Sequence, residues 1–465
     1  MTTRTEHDSM GKVLVPTNAL YGAQTQRSIN NFNIGQELMP KSLIKAYALI
    51  KQVAAQVNSD LGLLKKDFAE IIIKTCQEIM DAKLDKEFPL KIWQTGSGTQ
   101  TNMNLNEVIA NRCNQVLGFE LGCNSPIHPN DHVNLGQSTN DSFPTAMHIA
   151  AALELNHRLL PSINNLIKAL DEKTNKFASI IKMGRTHMQD ATPITLGQEF
   201  SAYAYQIKEA KKYIINALPS IYELALGGTA VGTGINTHPD FAQKTAFLIA
   251  QKTGLPFVSS PNKFAALASN DPCANLSSAL NNLSISLMKI ANDIRLLSSG
   301  PRGGLYEISM AENEPGSSIM PGKVNPTQCE AITMIAAQVM GNNTAITIAC
   351  SQGHLELNVF KPVIIRNLLH SIDILSDGIQ SFNEHCLISI APNIARLKEL
   401  ETRSLMLVTA LTPHIGYEQA AKIAKLAHQQ NKTLKEICLE LNIISEELFD
   451  DVMRPQSMLS AARIK

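Results

Sequence analysis

The chain carries no surplus of either charge. Lys and Arg together number 41, as do Asp and Glu, over 465 residues. No overall field therefore draws it to nucleic acid or to an anionic membrane, and an anionic ligand has to be held by groups gathered in a pocket. Paired cysteines are missing too. Cys76, Cys113, Cys123, Cys273, Cys329, Cys350, Cys386 and Cys438 include no C-x-x-C pair and no His/Cys cluster at zinc spacing, so they read as reduced, mostly packed thiols. No apolar run approaches the roughly 18 residues of a membrane span. The opening MTTRTEHDSMGKV has no apolar signal-peptide centre and is too short and too acidic for a transit peptide, so a soluble cytoplasmic protein is expected. Strand-like alternation is scarce, and no repeat of roughly 20 to 50 residues recurs.

Helical periodicity is abundant instead. The length exceeds what one core ordinarily supports, so two or three domains are expected. Leu276, Leu280, Leu283, Leu287, Ile290, Ile294 and Leu297 recur at alternating spacings of four and three. With no Gly or Pro from Ala274 to Ser299, this predicts one long helix of about 39 Å, packed in a bundle. Similar patterns occupy about 145–180, 198–224 and 327–348, and Gly227, Gly228, Gly232 and Gly234 break the pattern between them. Near the end the elements shorten. Thr433 and Glu436 have capping-box spacing, which places a small helical domain at the C-terminus. The fold class is all-α or nearly so.

Four stretches outside these segments concentrate small polar residues: TGSGTQTNMN at 95–104, HPNDHVNLGQSTND at 128–141, GRTHMQDATP at 184–193 and GSSIMPGKVNP at 316–326. Turn and cap chemistry accounts for any one of them. The last is no phosphate-binding loop, because Gly316 and Gly322 enclose five residues and Val324 follows Lys323 where a Ser or Thr is required. It does offer a cation, an amide, two hydroxyls and glycine-exposed N–H groups, which suit a carboxylate and the further charge that develops on it. His187 stands in a polar loop ahead of a helix, and its neutral-range titration makes it a candidate acid or base.

Taken together, GSSIMPGKVNPTQCE, TGSGTQTNMN, HPND, QSTND and GRTHMQDATP resemble one family, the class II fumarases of the aspartase/fumarase superfamily. The resemblance runs in order from SMGKVLVP at 9–16 through YGAQTQRS at 21–28 to HIGYEQAAKIAKLAH and RPQSM near the C-terminus, and so covers essentially the whole chain. Aspartases are the nearest alternative. They typically carry Gln where this chain has His187, Ala where it has Gly322, and an Ile-Pro-Glu continuation where it has Thr327, Gln328, Cys329 and Glu330. A catalytically silent scaffold is the alternative from another class, although a fold alone does not require that polar set.

The resemblance implies an all-α, three-domain fold divided at 1–138, 139–393 and 394–465, with central domains that assemble a homotetramer around a 20-helix bundle. Each active site would draw on three subunits. In that setting the stripe at 276–297 is expected to be buried against its copies. The implied reaction is reversible interconversion of (S)-malate and fumarate plus water, by anti elimination and addition, in the tricarboxylic acid cycle, without metal or organic cofactor. Removing a proton beside a carboxylate gives an aci-carboxylate with two negative charges on one group. Donors fixed where that charge develops lower the barrier.

By resemblance Ser317 takes the C3 proton, and His187, oriented by Glu330, handles the departing hydroxyl through a water. Ser97, Gly98, Thr99, Ser138, Thr139, Asn140, Thr186, Ser318, Lys323, Val324 and Asn325 are the implied substrate-binding residues. His128, Pro129, Asn130 and Asp131 correspond to a second, peripheral dicarboxylate site. Serine serves as a base only if Lys323 and the loop amides stabilise its alkoxide. A carboxylate partner would fix the tautomer of His187 and raise its pKa. The glycines and prolines of 316–326 suit a mobile lid. Ser125 stands where some relatives have a basic residue, which weakens the second site, and Thr139 stands where a second serine is common.

Overall fold

A computed structural model describes residues 2–461. A hairpin of β1 (Thr3–Asp8) and β2 (Gly11–Pro16) comes first. Helices follow: α1 (Ala23–Asn31), α2 (Lys41–Asp60), α3 (Lys66–Met80), α4 (Thr99–Val116), α5 (Thr139–Glu154) and α6 (Leu160–Lys176), the last two joined by a π-helical turn at Leu155–Leu159. A second antiparallel hairpin, β3 (Ile181–Thr186) and β4 (Gln189–Thr195), leads into α7 (Leu196–Ile221). Next come α8 (Phe241–Thr253), the short α9 (Lys263–Ala268), α10 (Asp271–Leu297), α11 (Thr327–Cys350) and α12 (Lys361–His385). Five shorter helices close the chain: α13 (Ile394–Arg403), α14 (Thr412–Ile415), α15 (Tyr417–Gln430), α16 (Leu434–Glu440) and α17 (Glu446–Val452).

The chain divides into two compact units. One comprises residues up to Pro161, Ala210–Ser284 and Ile335–Ser376; the other comprises Ser162–Glu209, Ile285–Met334 and residues from Asp377 on. The long helices α7, α10, α11 and α12 contribute residues to both.

The α10 stripe is where the sequence expectation is corrected. All seven of its Leu and Ile residues are buried, at 5% exposure or less, within the single chain. Packing inside the chain already covers the face that was expected to await copies of itself. α12 follows the same logic, with Ile364, Ile365, Leu368, Ile372, Leu375, Ile379 and Phe382 buried at helical spacing.

α5 is buried nearly all round, so its polar side chains need internal partners. Ser142 Oγ lies 2.7 Å from Tyr47 Oη and donates to Ser138 O, and Thr145 Oγ1 donates to Asp141 O. In the second unit, Leu407, Leu411, Ile423, Ala427, Leu434, Ile437 and Phe449 form an apolar cluster with Met183 of β3. The capping box of Thr433 and Glu436 starts α16 as its spacing predicts. All eight cysteines are free thiols; six are buried, Cys350 is partly buried and Cys123 is exposed.

Candidate active site

In the first unit the site residues gather where two helices begin. Gly98 caps α4 with φ +82°, and a Cβ there would lie 2.2 Å from the Phe143 ring of α5. A Cβ on Gly96 would lie 1.5 Å from Val359 O, beside the bond from Lys361 N to Gly96 O. Only glycine permits both approaches. Ser97 Oγ and Thr99 Oγ1 lie 2.9 Å apart at this end of α4.

Ser138 caps α5 in a capping box with Asp141. The other carboxylate oxygen of Asp141 accepts from Gly227 N and Thr229 N, both at 2.9 Å, and Asn140 Nδ2 donates to Ala230 O. The glycine-rich break at 227–234 is thus tied to the start of α5. Burial pushes the Asp141 carboxyl up to about 6, against the pull of its three backbone N–H donors. Asn102, in the first turn of α4, donates to Thr139 Oγ1 at 3.0 Å. Two helix N-termini edged with hydroxyls form a site suited to a carboxylate.

In the second unit the hairpin β3–β4 carries Thr186 and His187, so the stretch expected to be a loop is largely strand. Arg185 pairs with Asp190 and Thr186 with Gln189, which leaves His187 and Met188 as a two-residue turn. Both take left-handed backbone, φ +55° and +61°, as tight hairpin turns require. At the base, Lys182 Nζ lies 2.8 Å from Glu199 and 2.8 Å from the fully buried Glu307, and Arg185 Nη1 lies 2.6 Å from Glu307. The base is fixed and the tip is exposed.

The loop 316–326 closes on itself. Gly316 N donates to Lys323 O, Asn325 Nδ2 donates to Gly316 O at 2.7 Å, and Lys323 Nζ donates to Asn325 Oδ1 at 2.7 Å. Ser317 Oγ accepts from Ile319 N at 3.3 Å and Met320 N at 3.0 Å. Two main-chain amides thus already converge on the hydroxyl. Ser318, Lys323 and Val324 are exposed, as is Glu330 in the first turn of α11. Among the described residues no hydrogen bond joins Glu330 to His187, so the pair expected from the sequence is not brought together within one chain.

At the second candidate site, His128 caps the π-helical turn Pro129–Val133. Its Nδ1 accepts from Asn130 N and Asp131 N and lies 3.2 Å from Asp131 Oδ2, so only Nε2 is left for a ligand. Pro129 is buried, whereas Asn130, Asp131 and Ser125 are exposed. The adjoining cavity of about 210 Å³ is lined in part by Glu6, Asp8 and Glu107, and Glu6 and Asp8 are paired with Arg4 and Arg27.

Several polar residues behind the first group carry no assignment in the sequence reading. Asp141 has a usable signal, the capping-box spacing from Ser138. Lys51 has none, because it sits among the apolar residues of α2; burial pushes it down to about 7.

A lyase family model matches residues 11–341, and a model of the fumarase C C-terminus matches 407–460. The chain is 58% identical to human mitochondrial fumarate hydratase, over 98% of the chain and 90% of that protein. It is 56% identical to a class II fumarate hydratase of Neisseria meningitidis, over 99% of each. The fold is similar to that of a class II fumarase from Schistosoma mansoni, with TM-score 0.96, 46% identity and coverage of 98% and 99% of the two chains. It is also similar to a fumarate lyase/delta crystallin from Brucella melitensis, with TM-score 0.94, 38% identity and coverage of 99% and 100%.

Proposed function

Since this chain belongs to the class II fumarases, within the lyase family whose model it matches, we propose that it interconverts (S)-malate and fumarate plus water as a hydro-lyase of the tricarboxylic acid cycle. The observation that carries the reading is the loop 316–326, where the Lys323 ammonium, the Asn325 amide and a doubly amide-bonded Ser317 hydroxyl lie within one closed turn of chain.

Ser317 is the base for the C3 proton. A hydroxyl that receives two N–H groups has its conjugate alkoxide stabilised in place, which supports a role its ordinary acidity would forbid. His187 handles the leaving hydroxyl through a water, with Glu330 of another chain as its orienting carboxylate. Lys323, Asn325, Ser318 and Val324 hold one end of the dicarboxylate with Thr186. The α4 and α5 N-termini hold the other, through Ser97, Gly98, Thr99, Ser138, Thr139 and Asn140. As charge builds on the aci-carboxylate, these fixed donors strengthen, so their effect falls on the barrier.

Among the described residues no hydrogen bond joins His187 to Glu330, although both belong to the second unit, which supports a homotetramer with sites shared among three subunits. The three-domain division at 1–138, 139–393 and 394–465, a cytoplasmic location and independence of metal belong to the same proposal. The peripheral site at His128–Asp131 is expected to bind dicarboxylate weakly, because Ser125 supplies no cation and Nδ1 of His128 is already used.

The test is ultraviolet absorbance of fumarate, with purified protein given malate in one cuvette and aspartate in another. Fumarate from malate alone, persisting after exhaustive chelation, supports the proposal. Fumarate from aspartate alone replaces it with an ammonia lyase, and silence in both leaves a scaffold without activity.

A further inference from the structure

Lys51 lies in the middle of α2 with no exposed surface. Its ammonium donates to Asn134 Oδ1 and Gln137 Oε1, both at 2.9 Å, and sits 5.5 Å from the centre of the Tyr47 ring. Both acceptors are neutral amides, and among the described residues no carboxylate forms an ion pair with it. A buried cation in such company is costly. A methionine of similar length would fill the space without that cost.

The bonds beyond Lys51 suggest what the ammonium is for. Asn134 Oδ1 also receives Asn102 Nδ2 at 3.2 Å, and the same Nδ2 donates to Thr139 Oγ1 at 3.0 Å. Asn102 Oδ1, by contrast, is buried without a partner. Direction explains the pattern. An ammonium only donates, and Asn134 Nδ2 donates to Gln137 O at 3.2 Å, so Asn134 turns its oxygen toward the lysine. That oxygen accepts only N–H, which holds the Asn102 nitrogen toward Asn134 and Thr139 and leaves the Asn102 oxygen stranded. Reversing Asn102 would set two amide oxygens against each other. A Thr139 oxygen that receives N–H must aim its own O–H elsewhere.

We infer that Lys51 is a positioning residue: it sets the polarity of the chain Asn134, Asn102, Thr139, so that Thr139 meets a substrate carboxylate as a hydrogen-bond donor. This rests on the proposed function, in which Thr139 touches substrate. The direction survives loss of the lysine proton, because a neutral amine retains two N–H groups for its two oxygens. The stranded Asn102 oxygen marks an orientation imposed from behind rather than chosen for local satisfaction.

The experiment is a double-mutant cycle on the full-length protein, with Lys51→Met, Thr139→Val and the pair assayed for kcat and KM on malate and fumarate. Lys51→Met is expected to lower kcat/KM by roughly 10- to 100-fold, the range for a hydrogen bond to a charged group. In the Thr139→Val background it should cost no more than about twofold, because its output is already gone. Asn102→Leu cuts the chain below Lys51 and should reproduce both results, including where Lys51→Met fails to fold by circular dichroism. Losses that multiply in the double variants, or single variants with wild-type rates, overturn the inference. A merely structural loss would carry over in full to the Thr139→Val background. An inactive wild-type protein would remove the functional proposal and this inference with it; an active one with multiplying losses removes the inference alone.

Discussion

His187 holds a left-handed backbone conformation that is uncommon for residues other than glycine. At φ +55° in a two-residue turn, Asn or Gly would sit with less strain, and such strain costs on the order of 1 kcal/mol. A histidine at this exposed tip fits a group placed there for chemistry. His187→Asn is therefore expected to lower kcat by roughly 100- to 10,000-fold, the usual contribution of a positioned acid or base, while the melting temperature stays level or rises. Kinetics and calorimetry on one preparation check both halves, and a variant that melts earlier with kcat intact would contradict both. Gly96 makes the opposite case. A Cβ there would lie 1.5 Å from a main-chain oxygen that cannot rotate away, so Gly96→Ala is expected to destabilise by about 3 kcal/mol or more. Urea denaturation would read it, and an unchanged midpoint would mean that the 96–98 segment has room to move.

At the scale of elements, α5 pairs two buried titrations of opposite sense. His148 is largely buried, its Nδ1 lies 2.9 Å from Glu223 O, and desolvation lowers its pKa to about 4. Unfolded, the ring titrates near 6.5, so the unfolded chain binds a proton that the native one refuses. The stability this group contributes is full above pH 6.5 and is lost as the pH falls toward 4. Asp141 runs the other way, since its carboxyl, raised from 3.8 to about 6, takes up a proton in the native state first. The two oppose each other in the wild type. His148→Asn keeps an amide donor for Glu223 O and removes the titration. The stability difference between wild type and variant should therefore shift by about 2 kcal/mol against the wild type between pH 6.5 and 4, after allowance for the partly exposed ring. Urea midpoints across that range measure it, and a constant difference would show that His148 titrates normally.

The same elements show what the sequence made legible. The long helices were readable because a 3.6-residue period needs only local apolar spacing; the expected helix at 274–299 is α10 at Asp271–Leu297, and that at 327–348 is α11. The hairpin carrying His187 was not, because GRTHMQDATP has neither alternation nor an Asn-Gly turn, and its base is held by ion pairs to Glu199 in the next helix and to the distant Glu307. Motif residues such as Ser138 and Lys323 stood out by their types. Lys51 and Asn102 did not, since their meaning lies in which buried atom each one faces.

For the whole molecule, α11 poses the open packing problem. After Glu330 it has no charged residue through Cys350, yet it exposes Met334, Ala337, Gly341, Thr344 and Ile348 along one face at helical spacing. No helix among the described residues is long and apolar enough to cross a membrane. An uncharged stripe about 21 Å long, small in the middle and apolar at its ends, suits close packing against a helix of another chain. In the proposed tetramer α11, rather than the self-covered α10 stripe, is the expected contact. Gly341 tests this cleanly, because a Cβ there meets nothing within 4 Å in the single chain. Gly341→Arg should thus fold, with helical circular dichroism unchanged, while an unpaired charge at the centre of the contact costs several kcal/mol. Light scattering is expected to find dissociated chains, and malate dehydration should vanish with the assembly if, as proposed, each site is shared between chains. A full-sized, fully active Gly341→Arg assembly would place the subunit contact elsewhere and leave the exposed face of α11 without a function.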